Sequence, residues 1–125
     1  MLIEIDHTSP VPPYEQLRIV ITAMVLRGAL DPGAKLPSIR QLAGDLGLAP
    51  GTVARAYREL EADGVVRSRG ARGTVVVGPP AADTATSRLL DQATSLAAAA
   101  DERGAGLEDA IAALRIAFAS LRVQP

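Results

Sequence analysis

The chain has 125 residues, 48% of them hydrophobic, with no cysteine and a formal net charge of −1 at pH 7; this suits one ordinary domain, or a small domain with an appendage, and is too short for most two-domain enzymes. The absence of cysteine excludes a disulfide framework, thiolate metal sites and cysteine nucleophiles, while apolar runs far below a membrane span and a start, "MLIEIDHTSP", without a signal peptide's basic head and apolar core make the chain read as cytoplasmic, with no membrane partner. The near-neutral sum hides an uneven distribution: Lys35 to Arg72 holds seven basic residues against four acidic ones, a net +3, whereas Ala81 to Pro125 holds four arginines against six carboxylates, a net −2.

Residues Leu2 to Ile5 alternate apolar and acidic, a weak strand signal ahead of the breakers "TSPVPP". Pro12 and Pro13 suit a helix entry, and Leu17, Ile21, Met24 and Val25 set a helical stripe between Tyr14 and Leu30, ended by Gly28 and "DPG". A second stripe, Ile19, Ala23 and Leu26, lies on another face, so this helix is expected to be covered on two sides. "LPSIRQLAGDLGL" predicts a short helix capped by Ser38, with Gln41 three residues on, and closed at Gly47. The next helix is predicted from Pro50 to about Asp63, with Val53, Ala56, Tyr57 and Leu60 facing inward and Gly64 as its stop. "VVRSRGARGTVVV" then gives two β-branched runs around a glycine- and arginine-rich turn, the pattern of a hairpin with a basic tip.

"GPPAADTATS" is a composition break, dividing a domain at 1–78 from a helical region at 87–125 through a linker at 79–86. Two amphipathic helices are predicted beyond it, one carrying Leu89, Ala93, Leu96, Ala97 and Ala100, the other Leu107, Ile111, Leu114, Phe118 and Leu121 in a four-three alternation like a heptad seam. Two helices this short cannot bury such faces alone. Leu89, Leu96, Ile111, Leu114, Phe118 and Leu121 are therefore expected at a dimer interface, the competing reading being packing against the first helix. The expected fold is mostly α with a small β-hairpin: a winged helix-turn-helix followed by two C-terminal dimerisation helices.

The residues between the two short helices suit contact with a sugar-phosphate chain. Gly47 permits the sharp turn, Pro50 presets the first helical turn without needing a donor, and Gly51 offers no side chain to obstruct close approach. Thr52 places a hydroxyl beside backbone N–H groups expected to be free, since Ala49 at the cap position has no side chain to compete for them. Arg55 and Arg58 reach outward, and Arg72 sits at the hairpin tip. Arg67 and Arg69 read equally as DNA contacts or as a charged edge. Tyr57 is expected in the core with a wet hydroxyl, and Glu59, Glu61 and Asp63 as a solvated helix face. His7 is the only histidine, and no catalytic or metal-binding constellation forms, so neither an enzyme nor a cofactor is expected.

From Pro12 to Val77 the chain resembles the winged helix-turn-helix of the GntR family of bacterial transcription regulators, on the ordered blocks "YEQL", "GALDPGAKLPSIRQLA", "GTVARAYRELEADG" and "RGARGTVV". The short C-terminal part resembles the YtrA-like branch, in which two helices replace a large effector domain. The resemblance implies a homodimeric regulator, expected to be a repressor, on a pseudo-palindromic duplex operator, with the wing tip in the minor groove. It puts the DNA-contacting positions at Ser38 and Arg40, at Pro50, Gly51, Thr52 and Ala54 with neighbouring Arg55, and from Gly70 to Gly73. Ala49 departs from the family's usual polar cap. A protein-binding winged-helix scaffold is the alternative, suited by the acidic overall balance. Relatives with a fused aminotransferase-like domain are no guide, since the chain after Pro80 is too short for one and holds no lysine for pyridoxal phosphate. No residue specifies a small-molecule effector.

Overall fold

Prolines fix where the first helix begins. In a computed structural model that describes residues 3–81 and 85–123, α1 (Pro13–Leu26) carries proline in its first turn, where a missing N–H costs no hydrogen bond. It buries Leu17, Ile21 and Val25. It ends before Leu30: Gly28 adopts φ 77°, and the N–H groups of Ala29 and Leu30 close back on the Met24 carbonyl at 2.8 and 3.3 Å. The expected strand at the N-terminus does not form over residues 3–5, although Ile3 joins the core; Leu2 lies outside the described residues. The second apolar stripe of α1 is open, with Ile19 49% and Leu26 43% exposed. Within the first unit that face stays uncovered, because the core of the unit lies on one side of the helix.

The next two helices follow the sequence closely. At α2 (Ile39–Leu46) the Ser38 hydroxyl accepts the Gln41 N–H at 3.1 Å, and Gly47 at φ 66° closes the helix. α3 (Pro50–Ala62) buries Val53, Ala56, Tyr57 and Leu60 and packs against α1 and α2. The strands β1 (Val66–Ser68) and β2 (Thr74–Val76) pair antiparallel, Val66 opposite Val76 and Ser68 opposite Thr74, around a 3-10 turn at Gly70–Arg72. A hairpin of three-residue strands is marginal alone. Here a third segment supports it: Leu36 N–H donates to the Thr74 carbonyl, Val76 N–H to Ala34 and Gly33 N–H to Val76, each at 2.8 Å.

Tyr57 marks the edge of the core. Its hydroxyl donates to the Pro37 carbonyl at 2.7 Å, so it is tied to the backbone rather than wet. Burial pushes its pKa from 10.0 up to about 12. A raised folded-state value means that the unfolded chain ionises first, so this contribution to stability is complete below pH 10 and is lost as pH rises through 12. Tyr57→Phe is expected to remove that alkaline loss, at a cost of about 0.5–1.5 kcal/mol near neutrality from the missing hydrogen bond. Urea unfolding of both proteins between pH 7 and 12 checks this.

The described residues form two compact units, divided between Thr84 and Ala85. In the second, α4 (Ala85–Glu102) is closed at Gly104, φ 70°, with Ala105 N–H on the Ala100 carbonyl at 2.8 Å. The helix α5 (Leu107–Arg122) opens with Gly106 N–H donating to the Asp109 carboxylate at 3.1 Å. The two helices pack on each other, where Ala99, Ala100, Ala105 and Ala110 are half-buried. No described residue of either helix is fully buried.

Candidate nucleic-acid interface

Burying Val53, Ala56, Tyr57 and Leu60 on one side of α3 sends Arg55 and Arg58 to the other by helical periodicity, and both are exposed. The first turn is leaner in donors than expected. Pro50 has none, and the Thr52 N–H turns back to the Ala49 carbonyl at 3.0 Å. The Gly51 N–H has no acceptor among the described residues. A Cβ built at Gly51 would meet open space, so internal packing does not require glycine there. Its effect is to keep the helix end slim. Ala49 supplies no side-chain cap.

Ser38 and Arg40 lie exposed at the start of α2. The Ser38 oxygen spends one lone pair on the Gln41 N–H and keeps its proton for another partner. Ala54 and Arg58 line a groove of about 210 Å³ between α3 and the hairpin, with Ile39, Tyr57, Glu61 and Ser68 among its other walls. The Arg55 guanidinium lies over the Tyr14 ring, 3.7 Å from its centroid, and its Nε is 3.6 Å from the Glu59 carboxylate.

The wing needs glycine where the sequence puts it. Gly70 has φ 59°. Gly73 has φ 86° and ψ −162°, a region essentially restricted to glycine, where a side chain costs about 1–3 kcal/mol. A Cβ on Gly73 would also come within 2.9 Å of Lys35 Cε. Lys35 therefore lies along the wing, whose Arg67, Arg69 and Arg72 are exposed. Sequence reasoning did not place Lys35 in the site, because its neighbour in space is 38 residues away in the chain. The carboxylates of α3 are not merely solvated. Arg18 pairs with Glu15, with Asp63 at 3.3 Å and with Glu59 at 3.9 Å, and the Glu61 carboxylate accepts the Ser68 N–H at 2.8 Å, joining α3 to β1.

In the second unit, five of the six expected interface residues are exposed: Leu96 is 39% exposed, and Leu89, Leu114, Phe118 and Leu121 are 48–82% exposed. Ile111 is half-buried. Leu107, at the head of the seam, is also exposed, and Ile116 widens the apolar surface beyond it. No helix among the described residues is long and apolar enough to cross a membrane.

Residues 13–76 match the family described as bacterial regulatory proteins, gntR family. The chain is 41% identical over 75 residues to the HTH-type transcriptional repressor YtrA of Bacillus subtilis, a match covering 60% of this chain and 58% of that protein. It spans about three fifths of the length of that protein and of the HTH-type transcriptional regulator Rv1152 of Mycobacterium tuberculosis. Among solved structures, YtrA from Sulfolobus acidocaldarius, a GntR-family transcription factor, superposes with a TM-score of 0.60 at 34% identity, over 79% of this chain and 99% of that one. The DNA-binding domain of AraR in complex with operator ORR3 superposes at 0.51 with 25% identity, over 59% of this chain and 96% of that one.

Proposed function

This chain belongs to the gntR family of bacterial regulatory proteins, and from that membership we propose that it is a transcriptional repressor that binds a pseudo-palindromic duplex operator as a homodimer. The observation that carries the reading is the set of exposed basic residues on α3 and along the wing, Arg55, Arg58, Lys35 and Arg72, with the open first turn of α3, while the nearby carboxylates are occupied by Arg18 and the Ser68 N–H. Ser38, Arg40, Pro50, Gly51, Thr52 and Ala54 belong to the same proposed surface, and Gly70, Arg72 and Gly73 form the tip that enters the minor groove. The exposed apolar rows of α4 and α5 support self-association. A two-fold dimer sets half-sites about one helical turn apart.

The test uses a duplex selected by the protein from a random pool. Log affinity should fall linearly with log salt, with a slope of about −0.9 for each phosphate neutralised. Arg55→Ala should weaken the selected duplex by about 1–3 kcal/mol and leave random duplex nearly unchanged, because a bidentate base contact carries sequence information. Arg72→Ala should instead reduce the salt slope by about one. Binding without salt dependence, or an Arg55→Ala variant equal to the parent on both duplexes, overturns the assignment and favours a protein-binding module.

A further inference from the structure

We propose that Tyr14 is a positioning residue for DNA reading, its ring holding the Arg55 guanidinium ready for the duplex; this rests on the operator-binding reading above. The two residues are 41 positions apart and meet because α1 packs against α3. Tyr14 is half-buried against the core, which makes it a fixed platform, and 3.7 Å from ring centroid to guanidinium carbon is well within cation–π range. Glu59, one helical turn along, engages the Arg55 Nε at 3.6 Å. Glu59 is itself held near Arg18, which is anchored by Glu15 and Asp63.

The guanidinium thus has one face on a ring and Nε beside a carboxylate, while its two Nη nitrogens have no acceptor among the described residues. Those nitrogens form the fork that matches guanine edges and phosphate. An unsupported arginine samples many rotamers and loses them on binding, and that ordering opposes affinity. The Tyr14 ring imposes much of the order before DNA arrives, so its removal should weaken binding roughly two- to tenfold.

A double-mutant cycle on the full chain, with the selected and random duplexes at fixed salt, tests this. Tyr14→Leu removes the ring and Tyr14→Phe retains it, each made in the parent and in Arg55→Ala; Tyr14→Met replaces the leucine variant if circular dichroism shows the latter unfolded. The expected result is weaker binding and poorer discrimination for Tyr14→Leu, parental binding for Tyr14→Phe, an unchanged salt slope, and no effect of Tyr14→Leu once Arg55 is alanine. An equal loss in the Arg55→Ala background would assign Tyr14 its own contact or a purely structural role. A Tyr14→Phe variant as weak as Tyr14→Leu would assign the role to the hydroxyl, and tighter binding by Tyr14→Leu would mean that the ring sequesters Arg55. Any of these overturns the proposal. Parental binding without the cycle's coupling rejects only the positioning role, whereas a parent that fails to bind duplex removes the operator reading along with it.

Discussion

A chain ended at Pro80 is expected to stay folded, sediment as a monomer, and bind the operator roughly 10²–10⁴-fold more weakly than the full chain. The buried apolar residues, from Ile3 to Val76, all belong to the first unit, so its core survives the truncation. What is lost is the apolar surface of α4 and α5, with Leu89, Leu114, Phe118 and Leu121. One winged module covers about one half-site and carries few arginines, so alone it is a weak binder at cellular salt. Joining two modules makes the second contact effectively intramolecular and adds affinity without any new DNA contact. Sedimentation and footprinting check the outcome. A fragment that still dimerises and protects the full operator would give α4 and α5 another purpose.

Leu60→Ala is expected to destabilise the first unit by about 2–5 kcal/mol. Leu60 has no exposed surface and lies on α3, which packs against α1, α2 and β1; truncation there leaves a cavity that several elements line and none can fill by moving alone. A unit of roughly 80 residues has a total stability on the order of 4–12 kcal/mol, so the variant should be marginal or unfolded at 37 °C. Leu114→Ala, at a position 48% exposed on α5, should leave the urea midpoint of the first unit unchanged while weakening self-association. If the two substitutions cost that unit the same, the division between core and association surface drawn here is wrong.

Local signals made most of the helical frame legible. Ser38 followed three residues later by Gln41 announces a cap, and the hydroxyl does accept that N–H. Val53, Ala56, Tyr57 and Leu60 at helical spacing announce the buried face of α3, and all four are buried. Features made by residues distant in the chain left no such trace. The stacking of Tyr14 under Arg55, the Tyr57 hydroxyl on Pro37, and Lys35 beside Gly73 each join segments 20 to 41 residues apart. A hydrophobic pattern records which side of an element is apolar, not what covers it. Ile19 and Leu26 read like core and are exposed, and the same ambiguity applies to the rows on α4 and α5. Thr52 illustrates the remaining gap: with no capping side chain at Ala49, the N–H groups beside the Thr52 hydroxyl read as free, but the opening turn of the helix directs the Thr52 N–H to the Ala49 carbonyl.

The backbone bonds from residues 33–36 to β2 also bear on the order of assembly. They close a loop of roughly forty residues, and the entropy of bringing such distant ends together opposes pairing until something else has brought them near. α2 and α3 lie within that loop, so the docking of α3 onto α1 and of α2 onto α3 has to come first. The outer strand contact therefore forms late in folding and opens early in fluctuation, and amides at Leu36 and Val76 should exchange with solvent before those in the middle of α3. The wing takes its stiffness from the turn preceding α2, and, under the proposed minor-groove contact, a change in that turn would alter how the wing yields to DNA without touching a single arginine.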